Sequence, residues 1–239
     1  MANTFYVPGP ERAHRVNALF SRIATRYDFI NDLQSFGLHR GWKRRVVRLA
    51  KVTPGDPALD VCCGTGDLAF ALARQGAQVT GLDFTEAMLA VARRRAQREG
   101  RVECIQGDAQ KLPFPNASFA VVTVGYGLRN LASWEAGLDE MIRVARPGGR
   151  VLVLDFGKPD NALWRTGYFA YLRLCVPVLG LAFCGDAGAY AYILESLKHY
   201  PAQRGVEARL RQAGLADVQT HNLLGGVMSI NVATIPRQT

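Results

Sequence analysis

Residues 58–84, Ala58-Leu-Asp-Val-Cys-Cys-Gly-Thr-Gly-Asp-Leu-Ala-Phe-Ala-Leu-Ala-Arg-Gln-Gly-Ala-Gln-Val-Thr-Gly-Leu-Asp-Phe84, read as strand, glycine turn, helix, second strand and acidic residue. The apolar run Ala58 to Cys63 is short enough for a buried strand and is broken by Gly64 and Gly66. Asp67 is placed to cap a helix over Leu68 to Arg74, and Gln78 to Leu82 is a second strand ending on Asp83. Two parallel strands joined by a helix form a right-handed unit, and ligands of open α/β sheets sit at the carboxyl edge of such units. A nucleoside-containing cofactor is therefore expected there.

Gly64, Gly66 and Ala69 satisfy the G-x-G-x-x-G/A pattern of dinucleotide folds, with Asp83 near the ribose-binding spacing. Asp60 points elsewhere. It lies inside the first strand, four residues before Gly64, where a pyrophosphate would gain nothing from added negative charge. S-adenosylmethionine has a cationic amino group and a sulfonium but no phosphate. Asp60 is expected to attract its ammonium, Asp83 with the neighbouring Phe84 to hold the ribose side, and Asp108-Ala109 the adenine. Gly125 and Gly127 allow backbone to approach the ligand after a fourth strand, Ser118 to Val124.

The chain of 239 residues is long enough for one α/β domain with additions. Its formal net charge of +9 implies attraction to an anionic partner, either nucleic acid or an acidic membrane surface. The five cysteines have neither metal-ligand spacing nor a disulfide framework, and no metal is expected. No apolar leader stretch opens the sequence, so the expected location is cytoplasmic, peripheral at a membrane.

Upstream of the quoted stretch, apolar residues at helical spacing predict a helix over Glu11 to Tyr27. Asp28 to Gly37 then reads as a polar-aromatic loop, and His39 to Ala50 as a helix bearing Arg40, Lys43, Arg44, Arg45 and Arg48. Downstream, a helix over Trp134 to Ala145 is ended by Pro147-Gly148-Gly149, followed by a strand over Arg150 to Phe156. An aromatic-rich insertion spans 160–200. Its apolar run Leu174 to Cys184, holding Pro177 and Gly180, is too short to span a bilayer. A final antiparallel pair is predicted over Val218 to Leu223 and Val227 to Thr234. The expected architecture is a seven-stranded, Rossmann-like sheet of the class I S-adenosylmethionine-dependent methyltransferase type, its last strand antiparallel. An N-terminal helical cap over 1–51 precedes a methyltransferase domain over 52–239, with the 160–200 insertion as a lid over substrate.

Tyr27-Asp28-x-x-Asn31 and Ser35-x-x-x-His39-x-x-Trp42 resemble the N-terminal signature of the MenG/UbiE family of quinone-biosynthesis C-methyltransferases. The resemblance continues through Gly64-Thr65-Gly66-Asp67, Gly107-Asp108-Ala109, Gly127-Leu128-Arg129-Asn130 and Arg143-Val144-x-x-Pro147-Gly148-Gly149, and so covers nearly the whole chain. Cys62-Cys63-Gly64, Leu154-Asp155-Phe156-x-Lys158-Pro159 and Gly225-Gly226-Val227-Met228 look most like the branch acting on 2-phytyl-1,4-naphthoquinone. Gly125 and Phe29 depart from the family's usual serine and methionine. The resemblance implies methyl transfer from S-adenosylmethionine, leaving S-adenosylhomocysteine, to a ring carbon of demethylphylloquinol, with demethylmenaquinol or a ubiquinone precursor as the alternative.

Ring carbon is a poor nucleophile until the neighbouring phenol, with a pKa of about 10, is ionised. Arg129 is the expected cation, Asn130 the group orienting water or the quinol oxygen, and His39 or Asp28 the proton acceptor, with Tyr27 beside them. A prenylated naphthoquinol substrate suggests contact with an anionic membrane through the basic helix and through Trp164, Tyr168 and Phe169. A homodimer is a further expectation. A dehydrogenase would use the same glycines, and an RNA methyltransferase or nucleic-acid-binding module would explain the charge. Against the latter, no Asn/Asp-Pro-Pro-aromatic motif ends the fourth strand, and nucleic acid is not the expected partner.

Overall fold

The structure, a computed structural model, describes residues 10–184 and 188–237. Three helices come first, α1 (Pro10–Ile23), α2 (Tyr27–Ser35) and α3 (Leu38–Ala50). Strand and helix then alternate through β1 (Pro57–Val61), α4 (Asp67–Ala73), β2 (Gln78–Asp83), α5 (Glu86–Glu99), β3 (Val102–Gln106), β4 (Phe119–Gly125), α6 (Trp134–Val144) and β5 (Ala145–Phe156). Helices α7 (Ala162–Cys184), α8 (Gly188–His199) and α9 (Ala202–Gln212) precede β6 (Ala216–Leu223) and β7 (Met228–Thr234).

The seven strands lie in the order β3-β2-β1-β4-β5-β7-β6. Strands β1 to β5 run parallel, and β7 pairs antiparallel with both β5 and β6. The strand order reverses between β1 and β4, which places the ligand crevice at their carboxyl ends. The central strands are apolar and buried because helices cover both faces. Leu138 and Met141 of α6 and Val206 and Leu210 of α9 pack with Leu59 and Val122 on one side. Val46 and Ala50 of α3 and Leu68 and Leu72 of α4 pack with Ala58 and Val121 on the other.

Several expected elements differ. The first helix stops at Ile23, and a 3-10 turn over Ala24–Arg26 leads into α2, so most of the predicted Asp28 to Gly37 loop is helical. Ser35 bonds back to the Asn31 carbonyl at 2.6 Å, and left-handed Phe36 and Gly37 (φ 50° and 73°) end the helix. Gly66, not Asp67, occupies the N-cap of α4, and Asp67 instead pairs with Lys43 of α3 and Arg95 of α5 at 2.8 and 2.6 Å. Strand β5 begins at Ala145 and carries the Pro147-Gly148-Gly149 stretch, because Gly148 N–H donates to Ile235 O and Ile235 N–H donates to Gly149 O.

The predicted insertion is two helices packed on each other, α7 running through Pro177. Residues 185–187 of it, like residues 1–9 of the predicted cap, lie outside the described residues. No helix among the described residues is long and apolar enough to cross a membrane. Tyr168, expected at an interface, is instead buried with Leu172, Val176, Ile193 and Leu197. The basic residues of α3 do not form one free face either: Arg40 pairs with Asp32, Lys43 is held by Asp67, and Arg45 reaches His221 of β6.

Candidate active site

The chain leaves β1 through Cys62 at φ 53° and turns at Gly64. Asp83, at the end of β2, accepts the Gly64 N–H and the Thr85 N–H, both at 2.8 Å, and so ties two turns together. Burial raises its pKa above the usual carboxylate range. Its carboxylate also draws hydrogen bonds from the Thr85 side chain and the Phe84 backbone. Asp108 follows β3, its Oδ1 accepting the Gln110 N–H at 2.8 Å. Gly64, Asp83, Phe84, Asp108, Ala109 and Gly125 line one cleft at the sheet edge, and Phe84 leaves 43% of its surface open. Among the described residues, no Lys or Arg lines it.

Three residues expected here do not line the cleft. Asp60 is buried inside the sheet, where the Thr123 hydroxyl donates to it at 2.8 Å and burial pushes its carboxyl up to about 7. Thr65 donates to Asp28 at 2.7 Å. Gly66 sits at φ 89°, and a Cβ there would lie 2.7 Å from the Phe70 ring, so its role is to make the turn.

A second, larger cavity of about 550 Å³ lies between the first three helices, α7, α8 and the turn before β7. Its wall is almost wholly apolar, with Leu19, Trp42, Phe156 and Tyr171 among its residues. Phe20, Tyr27 and Tyr126 line both spaces. Burial raises the pKa of Tyr27 and lifts that of Tyr126 well above the usual range, so both rings present neutral hydroxyls. Phe36, Leu38, Trp164 and Leu224 line this cavity while each remaining about half or more exposed, and the Trp164 indole N–H donates to Leu224 O at 3.0 Å.

His39 and Arg129 are the polar features of greatest chemical reach in that wall. His39 is buried, with Nδ1 2.8 Å from the Ser35 hydroxyl. Burial first, then the Lys43 charge, lower its pKa, which favours a neutral imidazole near pH 7. Arg129, the expected cation, is held in an ion pair. It donates to Asp155 Oδ1 at 2.7 Å and to the Tyr126 carbonyl, and stacks 4.5 Å over the Phe156 ring. Asp155 was noticed only as part of a motif in the strand that became β5, and its pairing with Arg129, 26 residues away, was not foreseen.

Asn130, expected at the quinol oxygen, lines the cofactor cleft and donates to the Tyr126 carbonyl at 3.1 Å. Asp28 lines neither space, because Thr65 holds its carboxylate. The first helices are thus fastened to the glycine turn at two adjoining points, Asp28 to Thr65 and Lys43 to Asp67.

A sequence profile of the ubiE/COQ5 methyltransferase family matches residues 10–235. The chain belongs to that family. It is 41% identical over 236 residues to a demethylmenaquinone methyltransferase of Desulfitobacterium hafniense, covering 96% of this chain and 93% of the relative. A ubiquinone/menaquinone biosynthesis C-methyltransferase UbiE of Burkholderia mallei is 43% identical over 228 residues, with 94% and 93% covered. Among solved structures, a methyltransferase of Methanococcus maripaludis superposes with a TM-score of 0.64 at 17% identity, covering 92% of this chain and 95% of the other. One from Thermotoga maritima superposes with a TM-score of 0.63 at 19% identity, covering 91% and 98%. These two show the fold.

The family member is an S-adenosylmethionine-dependent C-methyltransferase. The cleft suits that cofactor: strand-end carboxylates at Asp83 and Asp108, glycine backbone and an open aromatic face at Phe84 face a cationic nucleoside. A dinucleotide would place its pyrophosphate in a cleft lined, among the described residues, by two carboxylates and no basic side chain.

Proposed function

We propose that this enzyme methylates a ring carbon of a prenylated naphthoquinol, with Asp83, Phe84, Asp108, Ala109, Gly64 and Gly125 holding S-adenosylmethionine. The observation that carries this is the large apolar cavity meeting the acidic cleft across Tyr27 and Tyr126. A cavity of about 550 Å³ suits a bicyclic ring and the start of an isoprenoid tail. When bound, the cofactor supplies an electrophilic methyl group. The protein's task is to bring the quinol ring to it, exclude water and ionise the hydroxyl.

His39, neutral and facing the cavity, takes that proton. Arg129, steadied by Asp155, lies beside the developing oxyanion; the paired carboxylate reduces its effect without cancelling it, since the two partners stand at different distances from the ring. Tyr27 closes the space between ring and cofactor, and Asp28 and Asn130 shape the walls.

The relatives' names favour demethylmenaquinol over the 2-phytyl-1,4-naphthoquinol expected from the finer motifs. Purified protein with S-adenosylmethionine should be offered both naphthoquinols and a ubiquinone precursor, each reduced and oxidised. Methyl transfer to the reduced naphthoquinols alone, fastest with demethylmenaquinol, is the expected result. Equal rates on oxidised quinone would reject phenol ionisation, and transfer to RNA alone would reject the quinol reading. The exposed apolar rim of Phe36, Leu38, Trp164 and Leu224, on a chain of net charge +9, further supports substrate entry from an anionic lipid surface. Cosedimentation with anionic but not neutral vesicles, weakened by salt, is the expected outcome.

A further inference from the structure

A serine hydroxyl has one proton and two lone pairs. In Ser35 that proton goes to the Asn31 carbonyl, one helical turn back, since two oxygens 2.6 Å apart need a hydrogen between them. The Ser35 oxygen can then only accept. It faces two nitrogens of one residue, His39 backbone N at 3.3 Å and His39 Nδ1 at 2.8 Å. Nδ1 must therefore carry a hydrogen whether the ring is neutral or charged.

Asp32 does not compete for that hydrogen, for its nearest oxygen is 3.8 Å from Nδ1 and Arg40 holds its carboxylate in a two-pronged pair. The charges around the ring are Lys43 and Arg40 on its own helix, Asp32 on α2 and Asp67 at the start of α4. Burial and the two cations together outweigh the two acids and favour the neutral ring. A neutral imidazole with Nδ1 protonated has its lone pair on Nε2. Among the described residues no side chain or backbone group hydrogen-bonds Nε2, and His39 lines the apolar cavity.

We propose that Ser35 is a positioning residue that fixes His39 in the Nδ1–H tautomer, so that Nε2 accepts the hydroxyl proton of the quinol in the cavity. The assignment rests on the quinol reading given above. The O–H bond breaks as Nε2–H forms, and the ring carbon gains the electron density with which it takes the methyl, whose former bonding pair stays with the donor's sulfur. The ring carbon then loses its own proton to water, and Nε2 returns its proton to the oxygen. One proton is released for each methyl transferred, and His39 is neutral again.

Nitrogen NMR of the protein with ¹⁵N-labelled imidazoles, with His39 identified by its loss in His39→Gln, reads the tautomer without substrate. The wild type should show a protonated Nδ1 and a bare Nε2, and Ser35→Ala a mixture of both tautomers. Ser35→Ala should also lower kcat about tenfold, with unchanged cofactor Kd and quinol KM, as loss of a residue that orients a histidine does elsewhere. Its acid limb in the pH profile should move, and Ser35→Thr should restore both tautomer and rate. A protonated Nε2 in an active wild-type enzyme, or unaltered kcat in Ser35→Ala, would overturn the assignment. Protein showing Nδ1–H that methylates no quinol would overturn the quinol reading and, with it, the proton transfer.

Discussion

The cofactor cleft and the apolar cavity are built by opposite means. The cleft is assembled largely from the ends of four neighbouring parallel strands: Gly64 after β1, Asp83 ending β2, Gly107-Asp108 after β3 and Gly125 ending β4. The cavity is made mostly of side chains from helices more than a hundred residues apart in sequence, α1 to α3 on one side and α7 and α8 on the other, with Tyr126, Phe156 and Met228 from the sheet edge. Sheet register fixes the first to within a hydrogen bond. The second depends chiefly on how helices lie on one another. One part of an enzyme can thus keep a constant cofactor while the other is refitted to different tails.

The sharpest way to break this comparison is at the pair that belongs to both regions. Arg129 opens on the cavity, while its partner Asp155 is in β5 of the sheet, and both are buried. Arg129→Ala leaves a buried carboxylate without its partner and should destabilise the fold by about 3–5 kcal/mol. Replacing both, with Arg129→Met and Asp155→Leu, should recover much of that stability without recovering turnover. Denaturant unfolding is the measurement, and a loss below about 1 kcal/mol would mean the cavity is independent of the sheet even here.

Next in size is a test confined to the sheet. Asp60, with a pKa of about 7 in the folded protein, ionises near pH 4 when unfolded. The folded state therefore holds this proton more tightly. Its stabilising contribution is complete below about pH 4 and is lost as pH rises through 7. The loss is on the order of 4 kcal/mol by pH 8, an upper bound set by the difference in pKa. Asp60→Asn removes the proton exchange, so without cofactor it should match the wild type at pH 4 and exceed it at pH 8. Parallel melting-temperature profiles across that range would show that Asp60 does not titrate there.

Legibility followed the same division. Residues 58–84 disclosed the glycine turn, both strands and Asp83 because those features are local, short apolar runs broken at glycine. Helix α2 was hidden because Asp28, Asn31, Asp32 and Ser35 all compete with the backbone for hydrogen bonds and resemble a loop. Packing against α3 and the local bond from Ser35 to Asn31 hold it helical. The same competition makes Ser35 useful, and sequence alone could not show what its hydroxyl meets. Asp60 was legible as an unusual acid, but its direction was not, because Thr123, its partner, lies 63 residues away in sequence and adjacent only in the sheet. His39 and Arg129 were legible as residue types; their neutralising and orienting partners were not.

The smallest expected effect tests whether the two regions communicate. Asp28 and Lys43 belong to the helices over the cavity, and their partners Thr65 and Asp67 flank Gly66 in the cofactor turn. Asp28→Ala or Thr65→Val removes a charge-assisted hydrogen bond between part-buried groups at 2.7 Å, and each should cost about 1 kcal/mol of stability. Combining them should cost little more than either alone, because both remove the same bond. If that bond transmits order from turn to helices, S-adenosylhomocysteine should protect residues 27–50 from hydrogen exchange in the wild type and protect them less in Thr65→Val. Protection of equal size in both proteins would leave the turn and the cavity coupled through Lys43 and Asp67 alone, and Lys43→Met should then abolish it. Should protection survive that change as well, the helices close over the cavity without reference to the cofactor, and the two regions are mechanically as separate as their construction.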